Sequence, residues 1–401
     1  MSDSLRLFNT LSMRKERFVP LRPRRVGMFV CGPTVQSRIH MGHARTYVFY
    51  DALVRHLRYI GYDVDYLMNI TDFDERITLA AVASKESPVD LARRFQGEFI
   101  EDMASLRCTS VSRFEPVSAH LDTMIRQVAT LVEKGAAYVT EGWVYFDTSK
   151  FRGFGRLSHQ SKRELALRPL ELSAKKRHMT DFALWRPEVL VEGKWQSPWG
   201  LGSPGWHIQD TAVSIPLLGG QYDVHGGALE LVYPHHEAEI AQAESLTEVR
   251  PFVKYWIHTH HLNMQGRKMS KSIGNVLTVK DALKHYSVDE LRLFLLATHY
   301  RRDMDLSGMD ASSKRLTRMR HSAAAILDGA KVRPGDLAEG EPLPEFVAAM
   351  NDDLNTPRAI EAVEEALEKG ADERNPGRRR AIVSSAVSHM RNLGVELIDG
   401  S

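Results

Sequence analysis

The sequence predicts an α/β protein in which a doubly wound parallel sheet with an inserted connective segment precedes a C-terminal α-helical domain. Three observations carry this prediction. A strand–turn–helix–strand pattern occupies residues 26–70, a strand pattern returns from residue 222, and the chain is mostly helical from about residue 277. At 401 residues the chain is too long for one small core, so two or three domains are expected.

The first unit is predicted from periodicity and turn residues. "RRVGMFVCGPTV" is an apolar strand that runs into a Gly-Pro turn, and "DVDYLMNIT" is a second strand. Between them, "MGHARTYVFYDALVRHLRYIGYDV" is a helix that ends at Gly61. Its apolar residues recur at helical spacing: Val48, Ala52, Leu53, Leu57 and Ile60. This unit is typical of a Rossmann-type sheet.

The later segments follow the same logic. Residues 88–107 and 117–135 are predicted helices, and 138–200, rich in aromatics, Gly and Pro, have no clear period. "YDVHGGALELVYPHHEAEIAQAESL" predicts a strand, a glycine turn, a second strand and a helix, and "FVKYWIHTHHLNM" predicts a further strand. The C-terminal helices include "PEFVAAMNDDLNTPRAIEAVEEALEKGA" and one near 377–393.

These patterns divide the chain into five parts. Residues 1–125 form the first half of the Rossmann domain, residues 126–200 form the inserted connective segment, and residues 201–262 form the second half. Residues 263–310 contain a lysine-rich loop and the region after it, and residues 311–401 form the helical domain.

The composition is that of an ordinary globular protein. Two cysteines favour a reducing cytoplasm over a disulfide framework, and no apolar run reaches the ~20 residues of a membrane span. The N-terminus lacks the apolar core of a secretory signal. A net charge of +2 neither requires nor excludes a nucleic-acid partner. Four basic clusters are either solvated surface or RNA contacts: 22–25, 175–177, 314–320 and 378–380.

"HMGH" at residues 40–43 stands where the first strand passes into the first helix. Backbone N–H groups at a helix start bind phosphate, and Gly42 allows a ligand to approach closely. His40 and His43, at i and i+3, lie on one face and can donate hydrogen bonds to a triphosphate. The alternative is a pair of histidines that only caps the helix.

"KMSKS" at residues 268–272 is a polar loop with two lysines, Lys268 and Lys271, and it includes Ser270. Alone, such a stretch is more often a surface loop. Together with the HMGH turn about two hundred residues earlier, it resembles the class I aminoacyl-tRNA synthetases. That resemblance implies that ATP, with Mg²⁺, is bound by His40, Gly42 and His43 and by Lys268, Ser270 and Lys271.

Longer stretches resemble the cysteinyl-tRNA synthetases over nearly the whole chain: "CGPTV…HMGHARTYVFYD", "YLMNITDFDERI", "SPWGLGSPGWHI", "YDVHGGALELVYPHHEAEIAQAE" and "MNDDLNTPRA". The resemblance implies a Zn²⁺ ion that binds the thiolate of the substrate cysteine. The implied ligands are Cys31, Asp210, His235 and Glu239. Zn²⁺ prefers a thiolate to a hydroxyl, which separates cysteine from serine where shape cannot.

Two positions depart from that family. Asp210 in "GWHIQD" stands where the family has a cysteine, and Gln36 stands where it usually has a tyrosine. A carboxylate is a legitimate zinc ligand, although it makes the donor set harder. The alternative is a lost metal site with a different substrate. Thr71 and Trp206 match the family's cysteine-binding positions, with Gln36 beside them, and core packing explains Thr71 and Trp206 equally well.

The resemblance implies a ligase that activates L-cysteine with ATP and transfers it to tRNA-Cys, expected as a cytoplasmic monomer. It also assigns His258 as a nucleotide contact, while Cys108 matches no ligand position. The family's usual anticodon-reading module is not expected after the helical domain. Two alternatives remain open: a cysteine:amine ligase of the mycothiol-pathway type, and a non-catalytic RNA-binding paralogue.

Overall fold

The computed structural model describes residues 4–167, 173–187, 194–269, 276–330 and 340–398. The strands are β1 Arg6–Asn9, β2 Arg14–Arg17, β3 Arg25–Val30, β4 Asp63–Ile70, β5 Arg113–Pro116, β6 Ala137–Thr140, β7 Trp143–Phe146, β8 Phe182–Arg186, β9 Ser203–Pro204, β10 Tyr222–Ala228, β11 Val253–Thr259, β12 Leu262–Met264, β13 Arg267–Lys268 and β14 Met304–Asp305. The helices are α1 Met41–Tyr59, α2 Glu75–Ser84, α3 Pro88–Ser105, α4 Leu121–Glu133, α5 Lys162–Ala166, α6 Trp206–Leu218, α7 Glu237–Thr247, α8 Val279–Ala282, α9 Val288–Leu296, α10 Met309–Ala330, α11 Pro344–Asn351, α12 Thr356–Asp372 and α13 Pro376–Asn392.

The central sheet is parallel and confirms the predicted fold class. Its strand order is β11-β10-β3-β4-β5. From β3 the chain first adds β4 and β5 on one side, and later adds β10 and β11 on the other. In such a sheet, ligands bind at the carboxyl ends of the strands where the order reverses, which here is between β3 and β10. This edge holds the residues that follow β3 and the last residues of β10.

The alternation of side chains along β3 shows how the sheet is buried. Met28 and Val30 join the core on the α1 side of the sheet, and Phe29 and Cys31 join the core on the α6 side. Successive side chains of a strand point to opposite faces, so a sheet covered on both faces has apolar residues at every position. That pattern therefore places Cys31 on the α6 side.

The inserted segment, for which the sequence showed no period, contains a second sheet. Strands β6, β7 and β8 of this segment pair antiparallel in that order, and β9, which follows the segment, pairs antiparallel with β8. Buried Glu237 ties this part to α7, because its carboxylate accepts hydrogen bonds from the backbone N–H groups of Leu157 and Ser158 at 3.0 and 2.9 Å. The strands are short, and a register shift between Val144 and Tyr145 interrupts their alternation.

The predicted glycine turn after "YDVH" is wrong. Gly226 and Gly227 lie within β10, and the residues after it form short helical turns at 229–236 instead of a second strand. Steric space explains both glycines. A Cβ at Gly226 would lie 2.3 Å from the ring of Tyr50, and a Cβ at Gly227 would lie 2.8 Å from Leu231 Cδ1. Gly226 therefore allows the first helix to pack against the sheet, and Gly227 allows the helical turns at 229–236 to do so.

The long helix predicted around "MNDDLNTPRA" is divided into α11 and α12. Asp353 and Leu354 adopt φ angles of 63° and 49°, which end α11. Buried Asp353 accepts hydrogen bonds from the Phe8 N–H at 2.7 Å and from the Tyr300 hydroxyl at 2.6 Å. The break therefore joins the helical domain to the N-terminal hairpin and to the segment after α9.

Helices α10–α13 form the C-terminal bundle. Two arginines of the basic cluster at 314–320 are held within the protein. Arg315 pairs with Glu364, and Arg320 pairs with Asp289 at 2.7 Å. These two side chains thus stabilise the bundle. None of the helices among the described residues has the length and apolar character needed to cross a membrane.

Candidate active site

The carboxyl edge of β3 and β10 gathers a buried group of metal-ligating side chains. Cys31 follows β3 directly, and Asp210 lies on α6. His235 lies in the helical turn before α7, and Glu239 lies in the first turn of α7. The spacing of His235 and Glu239, at i and i+4, places both on one face. Four separate segments thus meet at one point.

The four atoms are close enough to share one ion. Cys31 Sγ lies 3.1 Å from Asp210 Oδ2, and His235 Nε2 lies 3.1 Å from the same oxygen. His235 Nε2 lies 3.3 Å from Glu239 Oε1. All four potential ligand atoms lie within 4.8 Å of one another, and all four residues are buried.

The chemistry of this group fits a cation. Glu239 is fully buried, and neither carboxylate oxygen has a hydrogen-bond partner among the described residues. Burial raises the pKa of Glu239, and the nearby charge of Asp210 raises it further. Burial and Asp210 likewise raise the pKa of the Cys31 thiol. Two buried carboxylates beside a thiol are costly without a compensating positive charge, which a divalent cation supplies.

Asn69 holds Asp210 in place, although the sequence did not single it out. Its side-chain N–H donates to Asp210 Oδ1 at 2.9 Å, and its Oδ1 accepts from the Gly32 N–H at 2.7 Å. A Cβ at Gly32 would lie 1.7 Å from the Asn69 carbonyl oxygen, so glycine is required there. The "CG" after β3 and the "N" of "NITD" are therefore one structural unit.

The HMGH turn begins α1 with a reciprocal cap. His40 Nδ1 accepts from the Gly42 N–H at 3.1 Å, and the His40 N–H donates to His43 Nδ1 at 3.2 Å. The two rings lie 4.0 Å apart. The histidines therefore do cap the helix, as the alternative interpretation held. They also line the central pocket, so capping presents the helix start to a ligand.

The KMSKS stretch begins beside this turn. Lys268 lies in β13, opposite Asn263 of β12, while Ser270 and Lys271 lie outside the described residues. Met269 is buried and lines the same pocket as Gly42.

The chain also returns to the turn after this stretch. The Met41 N–H donates to the Leu277 carbonyl at 2.9 Å, and His40 and Thr278 form a β-bridge. Both flanks of residues 270–275 thus contact the start of α1.

One pocket of about 310 Å³ connects these features. Among the predicted site residues, the structure brings Cys31, His40, Gly42, His43 and Trp206 to its walls. The Trp206 ring also stacks on His235, with centroids 4.2 Å apart. The metal group and the helix start are therefore reached from one cavity.

Three further wall residues were not assigned from the sequence. Arg76 lies over Trp206, with its guanidinium carbon 5.4 Å from the ring centroid, and it donates to Thr34 Oγ1 at 3.0 Å. His260 and His261 follow β11 and also line the pocket. In the sequence, the only indication that Arg76 could line the site was its position in "DER", shortly after the predicted strand end "NIT".

Outside the metal group and the KMSKS stretch, three predicted residues lie away from these walls. Thr71 is buried and pairs through its backbone with Pro33 and Val35, and Gln36 is half-buried. His258 is also buried, and its Nδ1 lies 2.7 Å from Thr10 Oγ1. The structure places His258 behind the metal group, not beside the helix start.

Comparisons with known proteins match most of this chain to one family. The family described as "tRNA synthetases class I (C) catalytic domain" matches residues 17–314, and the DALR domain family matches residues 345–394. A cysteine–tRNA ligase of Pelotomaculum thermopropionicum is 42% identical over 373 residues, which cover 90% of this chain and 76% of that protein. A cysteine–tRNA ligase of Geobacter metallireducens is 40% identical over 98% of this chain and 84% of that protein.

Solved structures match the fold at low sequence identity. A leucyl-tRNA synthetase of Agrobacterium radiobacter has a TM-score of 0.68 at 13% identity and covers 94% of this chain and 84% of its own. Methionyl-tRNA synthetase of Mycobacterium tuberculosis has a TM-score of 0.65 at 15% identity, with 92% and 90% covered. The chain is therefore a ligase of the class I aminoacyl-tRNA synthetases and belongs to the cysteine–tRNA ligase family.

Proposed function

We propose that this protein activates L-cysteine with ATP and transfers it to the 3′ end of tRNA-Cys. One observation carries the proposal: a single pocket joins Cys31 of the metal group, the HMGH turn and Met269 of the KMSKS stretch. A group that selects a thiol therefore adjoins a helix start that binds phosphate. Formation of cysteinyl-adenylate requires this arrangement, because it joins cysteine to a nucleotide.

Cys31, Asp210, His235 and Glu239 would hold one Zn²⁺ ion in this protein. Bound zinc would coordinate the thiolate of cysteine and so distinguish it from the hydroxyl of serine. Trp206 stacks on His235 and forms a wall of the pocket, which limits the size of the side chain that enters. Thr71 and Gln36 would complete the amino-acid site.

The nucleotide would lie at the start of α1. The backbone N–H groups of the first turn and the imidazoles of His40 and His43 would bind the phosphates of ATP, accompanied by Mg²⁺. Gly42 lets the phosphates approach, since any side chain there would meet the His40 ring. Lys268, Ser270 and Lys271 would contribute further positive charge and hydrogen bonds.

The proposed reaction has two steps. A carboxylate oxygen of cysteine attacks the α-phosphorus, the bond from that phosphorus to its bridging oxygen breaks, and pyrophosphate leaves. A terminal ribose hydroxyl of the tRNA then attacks the activated carbonyl, loses its proton, and releases AMP. The protein contributes by positioning the reactants and by stabilising negative charge.

The experiment has two parts. Cysteine-dependent exchange of pyrophosphate into ATP reports the first step, and transfer of labelled cysteine to a tRNA-Cys transcript reports the second. We expect both activities. Exchange without transfer would contradict tRNA as the acceptor and favour an amine acceptor. No exchange with cysteine would show that Asp210 and Gln36 have altered the pocket.

We further propose that residues 1–125 and 201–262 form the catalytic halves around the connective segment 126–200. Residues 263–310 would contact the tRNA stem, and 311–401 would bind tRNA. Cytoplasmic action as a monomer is also proposed. Both cysteines are free and buried, as expected in a reducing compartment.

A further inference from the structure

The metal group has a second set of ligands on its inner side. Cys31 Sγ lies 3.1 Å from His236 Nε2 and 3.5 Å from His225 Nε2. Glu239 Oε2 lies 3.6 Å from His225 Nε2, and Glu239 Oε1 lies 4.0 Å from His236 Nε2. These four potential ligand atoms also lie within 4.8 Å of one another.

The two sets share Cys31 and Glu239 and differ in the other pair. On the pocket side the pair is Asp210 and His235, and the pocket wall residue Trp206 stacks on His235. On the inner side the pair is His225 and His236. The ring of His225 stacks on fully buried Trp256, with centroids 4.4 Å apart.

Hydrogen bonds orient both inner imidazoles for coordination. His225 Nδ1 lies 2.6 Å from the Tyr222 hydroxyl, and His236 Nδ1 lies 2.8 Å from His258 Nε2. His258 Nδ1 in turn contacts Thr10 Oγ1. When each Nδ1 carries the proton for these bonds, each Nε2 has a lone pair directed at Cys31 and Glu239. Metal-ligating histidines are commonly fixed in this way.

The donor chemistry favours the inner set. It offers one thiolate, two imidazoles and one carboxylate, whereas the pocket-side set offers one thiolate, one imidazole and two carboxylates. Zn²⁺ prefers sulfur and nitrogen donors. The inner set also carries two negative charges, which a divalent cation balances, while the pocket-side set carries three. The Asp210 carboxylate thus makes the pocket-side set a less favourable zinc site relative to the inner set.

We propose that one zinc ion has two alternative positions in this protein, and that His225 and His236 are its ligands in the inner position. The proposal rests on the proposed zinc site but not on the identity of the acceptor. Either pair can then retain the ion when the other is removed, whereas loss of a shared ligand affects both positions.

Zinc content and affinity test this in the purified full chain, by elemental mass spectrometry and competition with a chromophoric chelator. Asp210→Ala and His236→Gln should each retain one equivalent, with affinity lowered by about tenfold, the size of effect seen for supporting contacts. The double variant and Cys31→Ser should each lose affinity by on the order of a thousandfold or more. The matched control is His56→Gln, because His56 is buried with one hydrogen-bond partner, Asn351, outside the group.

Three results would overturn the proposal. Asp210→Ala could bind zinc as poorly as Cys31→Ser, the double variant could equal Asp210→Ala, or the wild type could hold two equivalents. A wild type without zinc would overturn the proposed zinc site as a whole.

X-ray absorption at the zinc edge of the wild type supplies a test that needs no variant. An average of more than one imidazole ligand per zinc would support occupancy of the inner position, and one imidazole only would contradict it.

Discussion

Asp210 is the residue at which this chain departs most from the resemblance that its motifs suggest. In the structure Asn69 donates to one oxygen of the carboxylate, while the other oxygen faces Cys31 and His235. A shorter side chain there would leave the Asn69 amide unpaired in a buried position, which is costly. The carboxylate is therefore held in the metal group by its own hydrogen bond from Asn69.

Substitution of Cys31 by serine tests the link between metal and substrate. The hydroxyl is a poorer zinc donor than the thiolate, so zinc affinity and the affinity for cysteine should fall together. Mass spectrometry gives the zinc content, and the KM for cysteine comes from pyrophosphate exchange. Full zinc content with an unchanged KM would count against the assignment of Cys31.

His56 provides a pH-dependent prediction away from the site. Burial lowers its pKa to about 4, partly offset by its hydrogen bond to Asn351. Between about pH 6.5 and pH 4 the unfolded chain binds a proton that the folded chain does not. The free energy of unfolding should therefore fall as the pH falls through this range, by up to about 3 kcal/mol from this residue.

The variant His56→Gln isolates that contribution, since glutamine can keep a hydrogen bond to Asn351 without titrating. Denaturant unfolding at pH 4, 5, 6 and 7 should give a shallower pH dependence for the variant than for the wild type. Parallel curves would show that His56 is not the origin.

The start of α1 shows how one element serves stability and binding together. Its cap is internal to the HMGH turn, and the chain on either side of residues 270–275 packs against it. Because the cap is preformed, a ligand need not order the helix start. Preorganised donors of this kind account for large parts of catalytic rate enhancement.

Gly42→Ala should disturb this element. The added Cβ would lie 2.8 Å from His40 Cε1, so the ring must move from the helix start. We expect pyrophosphate exchange to slow on the order of a hundredfold, as when one oxyanion donor is removed.

Gly97→Ala is the matched control for this variant. It lies within α3, and nothing is within 4 Å of an added Cβ, so it should leave exchange unchanged and stabilise the protein by about 1 kcal/mol. Equal exchange rates in both variants would refute the steric argument.

Lys268→Ala tests the KMSKS stretch. Loss of its positive charge should lower the rate of adenylate formation by orders of magnitude, with little effect on cysteine binding. Rapid-quench measurement of the first turnover separates these quantities, and exposed Lys280 of α8 gives the alanine control. An unchanged burst rate would exclude Lys268 from the first step.

At the scale of the whole molecule, Arg292 joins three regions of the chain. It is fully buried, pairs with Asp51 of α1 at 2.7 Å, and donates to the carbonyls of Leu106 and Leu393 at 2.8 and 2.9 Å. Burial acts to raise the pKa of Asp51, but Arg292 and Arg55 hold it below its usual value. One guanidinium thus links the segment after α13 to α1 and to the residue that follows α3.

Arg292→Met should therefore be strongly destabilising, because it leaves two buried carbonyls without their donor and removes one of the two guanidinium partners of buried Asp51. We expect the free energy of unfolding to fall by about 3–5 kcal/mol. Arg358→Ala is the control, since that side chain is 45% exposed and its ion pairs are worth at most about 1 kcal/mol. Similar losses in both variants would contradict a special role for Arg292.

The sequence by itself determined the elements whose periodicity is strong and local. The unit β3–α1–β4 was predicted because its strands are continuously apolar and its helix has a regular stripe that ends at Gly61. The cap of α1 was also readable, since His40 and His43 are neighbours along the chain. Motif resemblance selected the ligand set Cys31, Asp210, His235 and Glu239.

Only the tertiary structure decided the rest. The strands β6–β9 are stabilised by pairing with each other, so no local period reveals them. Gly226 of β10 is required by Tyr50, which lies 176 residues earlier in the chain, and not by a turn. Likewise, His225 and His236 join Cys31 only because β10 and the helical turn before α7 converge on β3. Contacts between distant segments are a property of the folded chain, and local sequence patterns do not encode them.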